Sequence, residues 1–410
     1  MPLLPPPQPH VCAASDCGCG MTRRDLLRLT ALAGAASPLL RAGDAAAQAA
    51  RGDDQPVKIG YLPITDATPL LVAHGRGLFA QQGLQAEAPR LFRSWAQIVE
   101  AFVAGQVNVI HLLSPATLWV RYGAKFPAKV VMWNHVNGSG LTVLPEIQSV
   151  AELGGRTVAV PFWYSIHNIL LQDLLRGAGL TAVTRARGAS LGPKEVNLVV
   201  MAPAEMVSAL AGKGIAGYIV AEPFNAAAEI AGVGKVLRFS GDVWRDHACC
   251  VTFLAERDIA ERPAWAQRVT SALVQAQRWV LDNRLETATL MSNAGPNKYT
   301  PHSPQALAKV LASTDYADYE KSGVVHHKGW AQRRIDFQPY PYPSYTERLV
   351  GAIKATRMEG DNAFLDKLEP AFVARDLVDE RFVRKAIAEV GGPQVFGIPA
   401  GFARKEVFAL

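Results

Sequence analysis

The 410-residue chain is 49% hydrophobic and 19% charged, with a formal net charge of +6. That length and balance allow two packed domains and exclude a disordered main body. Its basic residues are scattered and not interleaved with aromatics, which excludes a nucleic-acid binder, and the mild positive balance suits an anionic ligand without choosing one. No stretch of about 18 uncharged apolar residues marks a membrane span.

Residues 1–20, MPLLPPPQPHVCAASDCGCG, are rich in Pro, Gly and Cys and are expected to be unstructured. Residues 21–49 read as a signal peptide. Arg23 and Arg24 head an apolar stretch that ends in the small residues Ala45, Ala46 and Ala47. The run TRRDLLR (22–28) resembles the twin-arginine motif of proteins exported after folding, with cleavage expected near Ala47 or Ala49. An amphipathic first helix is the rival reading, and both Met1 and Met21 are possible starts. Five cysteines, Cys12, Cys17, Cys19, Cys249 and Cys250, form no disulfide framework. Adjacent cysteines bridge only through a strained ring, so Cys249 and Cys250 are expected to be reduced. Folding in the cytoplasm before export agrees with that.

From residue 55 the pattern alternates between strand and helix. VKIGYLP (57–63) reads as a strand, and 66–79 as a helix with Asp66 or Thr68 as cap and Pro69 in the first turn. Ser94 caps a helix over 95–104; NVIHLL (108–113) is a short buried strand; Ser114-Pro115 opens a helix to Tyr122. Strands follow at 129–136 and 141–145. A second unit opens at 150 with the strand TVAVP, a helix capped by Ser165, the strand NLVVM, a helix from Pro203, the strand AGYIVAEP and the helix FNAAAEIAG. The chain crosses back through VLRFSGDVWRDHACCVTFLA and becomes mostly helical beyond 260, with an aromatic, Pro-rich loop at 336–345.

Such alternation predicts mostly parallel sheets covered by helices on both faces, hence an α/β fold. Two units with a return crossing predict two lobes: 55–148 plus 250–410, and 149–249. Ligands of these sheets sit beyond the strand carboxyl ends, where helix N-termini offer free N–H groups to a small anion.

Four segments in order carry a family resemblance: GYLPITDATPLLVAHGRGLF, SWAQIVEAFVAGQVNVIHLLSPA, SIHNILLQDLL and AEPFNA. Across about 57–400 they are similar to the nitrate/bicarbonate-binding (nitrate/sulfonate/taurine-type) proteins of ABC importers. The resemblance implies a two-lobed periplasmic-binding-protein fold of type II, with mixed sheets and a helical C-terminal extension. It also implies a small anionic solute held between the lobes, a membrane permease and ATPase as partners, a monomer, and a periplasmic location.

It further implies pocket roles for Trp95 in SWAQ and His167 in SIHN. Ser139 stands where nitrate binders carry a glutamine, and Cys250 where they carry a lysine. Those replacements remove an amide and a cation, each ionic hydrogen bond contributing about 1.5–3 kcal/mol, and leave room for larger acids such as sulfonates. Thr65, in the first strand-to-helix loop, is a further ligand candidate, whereas Asp66 reads as a helix cap. Glu222 is expected to face solvent, pair with Arg245, or accept from a protonated ligand. For Cys249 and Cys250 the expectation is inert small hydrophobes; a metal site with Asp246 and His247 is the rival, disfavoured because strand neighbours point to opposite faces. His326-His327 reads as a solvated loop pair. No cofactor and no metal are expected. The absence of GxSxG, HExxH, GxxxxGK[ST] and GxGxxG argues against an enzyme. The alternatives within the same fold are an enzyme like the thiamine-pyrimidine-precursor synthases and a cytoplasmic anion sensor.

Overall fold

The computed structural model describes residues 55–410 except 187, 315, 331 and 332. The leader and its export motif therefore lie outside the described residues.

Two sheets form the core of the fold. The first has five strands in the order Arg90–Leu91, Ile59–Tyr61, Val109–Leu113, Cys250–Ala255, Ala128–Trp133. The second has six, in the order Lys235–Phe239, Ser139–Val143, Gly217–Ala221, Thr157–Val160, Glu195–Val200, Thr181–Val183. Each is parallel except for one inserted strand. Cys250–Ala255 runs antiparallel to both its neighbours, and Ser139–Val143 does the same in the second sheet. The strand Val109–Leu113 is buried at every position, as expected where helices cover both faces.

Helix starts follow local chemistry. Ser94 accepts from the Gln97 N–H at the head of Trp95–Val103, and Ser165 accepts from the Asn168 N–H at the head of Ile166–Gly177. Pro203 opens Pro203–Ala211, and Pro263 opens the 20-residue helix Pro263–Asp282. Among the described residues no helix is long and apolar enough to cross a membrane.

The first crossing between the sheets comes earlier than expected. Ser139–Val143 pairs with Gly217–Ala221 and so belongs to the second sheet, not to the first unit that was expected to end at 148. The sheet-to-sheet segments are therefore 134–138 on the way out and 240–249 on the way back. The outward one is tied at Val136–Asn137, which pairs with Ile335–Asp336. Gly138 holds a left-handed φ of 81°, and a Cβ there would stand 2.9 Å from the His135 ring, so only glycine fits this turn without displacing that imidazole.

The aromatic loop expected at 336–345 is an interior wall. Tyr340, Tyr342 and Tyr345 are all buried. The Tyr345 ring lies 4.8 Å from Trp133, and its hydroxyl donates to the Ala248 carbonyl. The C-terminal tail returns to brace the same crossing: the Arg245 N–H donates to the Val407 carbonyl, and Trp244 Nε1 donates to Glu406.

Candidate functional site

Both crossings and the first strand-to-helix turn of each sheet meet at one buried cluster. Asp66 comes from the turn after Ile59–Tyr61, and His135 from the outward crossing. Cys249 and Cys250 come from the end of the return crossing. Ser139 heads its strand, and His167 sits in the first turn of Ile166–Gly177. All six are buried.

Asp66 does not cap a helix; its short helical turn has no side-chain cap bond. Its carboxylate faces His135 instead, with Oδ2 3.1 Å from Nε2. Burial alone would raise the Asp66 carboxyl. The charge of the neighbouring His135 imidazolium more than reverses that and holds it well below the usual carboxylate range. Burial likewise opposes charge on His135, but the Asp66 carboxylate and the Cys249 sulfur lift it to about 10.

The adjacent thiols differ. Cys249 lies in a bend just before the strand that begins at Cys250, so strand alternation does not separate the two side chains. Burial raises Cys249, yet the Cys250 thiol and the His167 and His135 rings outweigh it and bring it down to about 5. Cys250 is pushed up by burial and by its neighbour's charge. Neither cysteine forms a disulfide.

From the second sheet, Ser139 Oγ lies 2.9 Å from His167 Nε2, and each lies within 4 Å of the Cys249 sulfur. On the far side, His111 Nε2 accepts from the Leu62 N–H, which leaves the proton on Nδ1. Burial pushes His111 down to about 4 against the pull of Asp66. The Trp95 ring stands 5.3 Å from it. Trp95 Nε1, His111 Nδ1 and His167 Nδ1 are buried without a hydrogen-bond partner. Buried His247, pushed down to about 3 by desolvation, also has both ring nitrogens unpartnered. Such a concentration of unmet polar atoms is unusual in a folded interior, where buried polar groups are normally paired.

Residues 50–293 match the NMT1-like family. The chain belongs to that family. Homology extends to the nitrate/nitrite binding protein NrtA of Nostoc sp., 23% identical over 73% of this chain and 70% of that protein. The nitrate import ATP-binding protein NrtC of Synechocystis sp. is 26% identical over 55% of this chain, which spans only 35% of that longer relative. Among solved structures, the periplasmic nitrate-binding protein NrtA of Synechocystis PCC 6803 superposes with a TM-score of 0.65 at 18% identity. That superposition covers 87% of this chain and 94% of that one, and shows the same periplasmic-binding fold.

Within this NMT1-like chain, the structure gathers Trp95, Ser139, His167 and Cys250 around the cluster just described. Thr65 and Glu222 are placed differently. The Thr65 N–H and hydroxyl both donate to the Glu222 carbonyl, at 2.9 and 3.0 Å, so they hold one sheet's turn against the other's. The Glu222 carboxylate takes two nitrogens of buried Arg334, at 2.8 and 2.7 Å, and the Ala226 N–H at 3.1 Å. Its partner is thus Arg334, not Arg245, and the carboxylate is committed within the protein. His326 and His327 are not a free solvated pair: their N–H groups donate to the Asp242 carboxylate at 2.9 and 2.8 Å.

Sequence reasoning passed over His111 and His135 and misread Asp66. The available signal was a histidine inside the apolar run NVIHLL and another at the end of KVVMWNHV, since a polar group in a doubly covered strand needs a partner.

Proposed function

We propose that the chain is the solute-binding component of an ATP-driven membrane importer and closes its two lobes around a small solute. The observation that carries this reading is the convergence of Asp66, His135 and Cys249 with Ser139 and His167, all buried, between the two sheets. Side chains from both sheets complete the site only when the lobes are together, so a solute bound there favours the closed form and gives a permease a shape to recognise. The curated relatives, a nitrate/nitrite binding protein and an ATPase of nitrate import, support the importer context. A small oxyanion or related small solute suits the unpartnered N–H groups of Trp95 and His111, beside the unpartnered His167 Nδ1. Export by the twin-arginine route, action as a monomer in the periplasm, and delivery to a permease with its ATPase complete the proposal; no chemical step is assigned to the chain.

The test is thermal unfolding against nitrate, nitrite, bicarbonate, cyanate, thiocyanate, sulfonates and pyridoxal phosphate. A solute at about 100 times its Kd adds about 2.7 kcal/mol. A shift with one small anion, abolished in Trp95→Ala and His167→Ala, is the expected result. Silence across the anions with a response to pyridoxal phosphate overturns the reading in favour of an enzyme.

A further inference from the structure

Asp66, His135, Cys249 and Cys250 each offer one metal-ligand atom, and these atoms all lie within 4.8 Å of one another. We propose that these four residues are a binding site for a thiophilic divalent cation of the zinc class, in the cleft where the lobes meet.

Geometry is the first support. Ligand bonds of about 2.0–2.3 Å around a tetrahedron place neighbouring donors about 3.3–3.8 Å apart. The four donors therefore need to close by no more than about 1–1.5 Å, within the travel of side-chain rotation.

Unmet bonding is the second support. Both Asp66 carboxylate oxygens and both His135 nitrogens are buried with no hydrogen-bond partner. The two side chains approach to 3.1 Å without the alignment of a hydrogen bond. Donors that converge on a point while missing one another are arranged for something at that point.

Ligand chemistry then selects the ion. Two sulfurs and an imidazole favour zinc-class ions, whereas magnesium and calcium require six or more oxygens and find one carboxylate here. Four protein donors also fill a tetrahedron, so the site holds the ion itself and leaves no open position for catalysis.

The surroundings keep the donors in place. Gly138 leaves room for the His135 ring, and Asn134 Nδ2 donates to the Asp66 carbonyl at 3.1 Å. Asn134 is fixed in turn by the Thr252 hydroxyl at 2.6 Å. Such outer contacts orient ligands and typically change metal affinity 10–100-fold. The expectation of no metal weighs the cysteines only with Asp246 and His247. The fold instead brings in Asp66 from the turn after Ile59–Tyr61, at the same edge of the sheet as Cys250.

The inference goes beyond the importer reading and does not rest on it. The test is cobalt titration of the full chain carrying Cys12→Ser, Cys17→Ser and Cys19→Ser, under reducing conditions and without added anions. One equivalent should bind with the intense visible bands of tetrahedral cobalt and a thiolate-to-cobalt charge-transfer band, and zinc should displace it. Cys249→Ser/Cys250→Ser should abolish the charge-transfer band, and Asp66→Asn should weaken uptake at least about tenfold. Circular dichroism and the metal-free melting point of each variant separate lost ligands from lost folding. Octahedral cobalt without a thiolate band, an unchanged spectrum in the double cysteine variant, or no uptake by the parent chain overturns the proposal. Failure of cobalt with a shift by nitrate would leave the importer reading standing alone.

Discussion

His135 Nε2 lies 3.1 Å from Asp66 Oδ2, with both side chains fully buried, yet the two do not form an aligned hydrogen bond. A buried pair of this kind has lost its water and recovers only part of that cost from Coulomb attraction. Asp66→Asn leaves the His135 charge with the Cys249 sulfur as its remaining counter-ion. The variant should lose about 3 kcal/mol of stability, the low end for breaking a buried pair. Urea unfolding of the ligand-free protein at neutral pH checks it; an unchanged midpoint would mean that His135 is neutral in the apo form.

Glu222 and Arg334 form the second buried ion pair that matters: Arg334 Nε donates to Glu222 Oε1 at 2.8 Å, Nη2 stands 2.7 Å from the same oxygen without the alignment of a hydrogen bond, and a helix N–H donates to the other oxygen. Arg334→Met should destabilise by about 3–5 kcal/mol because it strands a buried carboxylate. Glu222→Gln should cost less, and solute affinity should be unchanged in whatever fraction folds. A selective loss of solute binding in Glu222→Gln at normal stability would return Glu222 to the pocket.

The alternation of strand and helix, the caps at Ser94 and Ser165, and the two-lobed fold were all legible in the sequence, because periodicity and capping are local. Trp95 and His167 lie at the cluster because each sits in the first turn of a helix that follows a strand, and Ser139 and Cys250 because each begins a strand that runs antiparallel to its neighbours, at the edge where those neighbours end. What was not legible depended on partners distant in the chain. Glu222 finds Arg334 112 positions away, through a loop whose path no local pattern dictates. Asp66 looks like a cap until His135 is known to stand over it. Cys249 escapes the alternation rule because the strand begins one residue later than a run of apolar residues suggests.

Gly138 touches no ligand-type atom by itself, but its missing side chain makes room for one. An added Cβ would meet the His135 ring at 2.9 Å and the Ile335 side chain at 3.2 Å, in a left-handed conformation that L-residues enter at a cost of about 1–2 kcal/mol. Gly138→Ala should lower stability by about 1–3 kcal/mol. It should also weaken cobalt uptake by turning His135 away from Asp66. Normal uptake at reduced stability would show that the strain is absorbed elsewhere in the crossing.

His302 gives the protein a pH dependence that is separate from the cleft. Its Nε2–H donates to the Pro63 carbonyl at 3.0 Å, and its ring meets the Phe224 ring edge-on at 4.9 Å. Burial pushes this imidazole from its ordinary 6.5 down to about 4, against the smaller opposing pull of the Pro63 bond. The unfolded chain therefore takes up the proton first as pH falls. The contribution is fully present above about pH 6.5, is lost as pH drops from there towards 4, and levels off below 4, where both states are protonated. It amounts to at most about 3.5 kcal/mol, since each pKa unit is worth about 1.4 kcal/mol. His302→Gln keeps a donor for Pro63 and removes the titration. Urea midpoints measured from pH 7 to pH 4 should fall less steeply for this variant than for the parent. Equal slopes would mean that His302 takes up its proton without leaving the folded state.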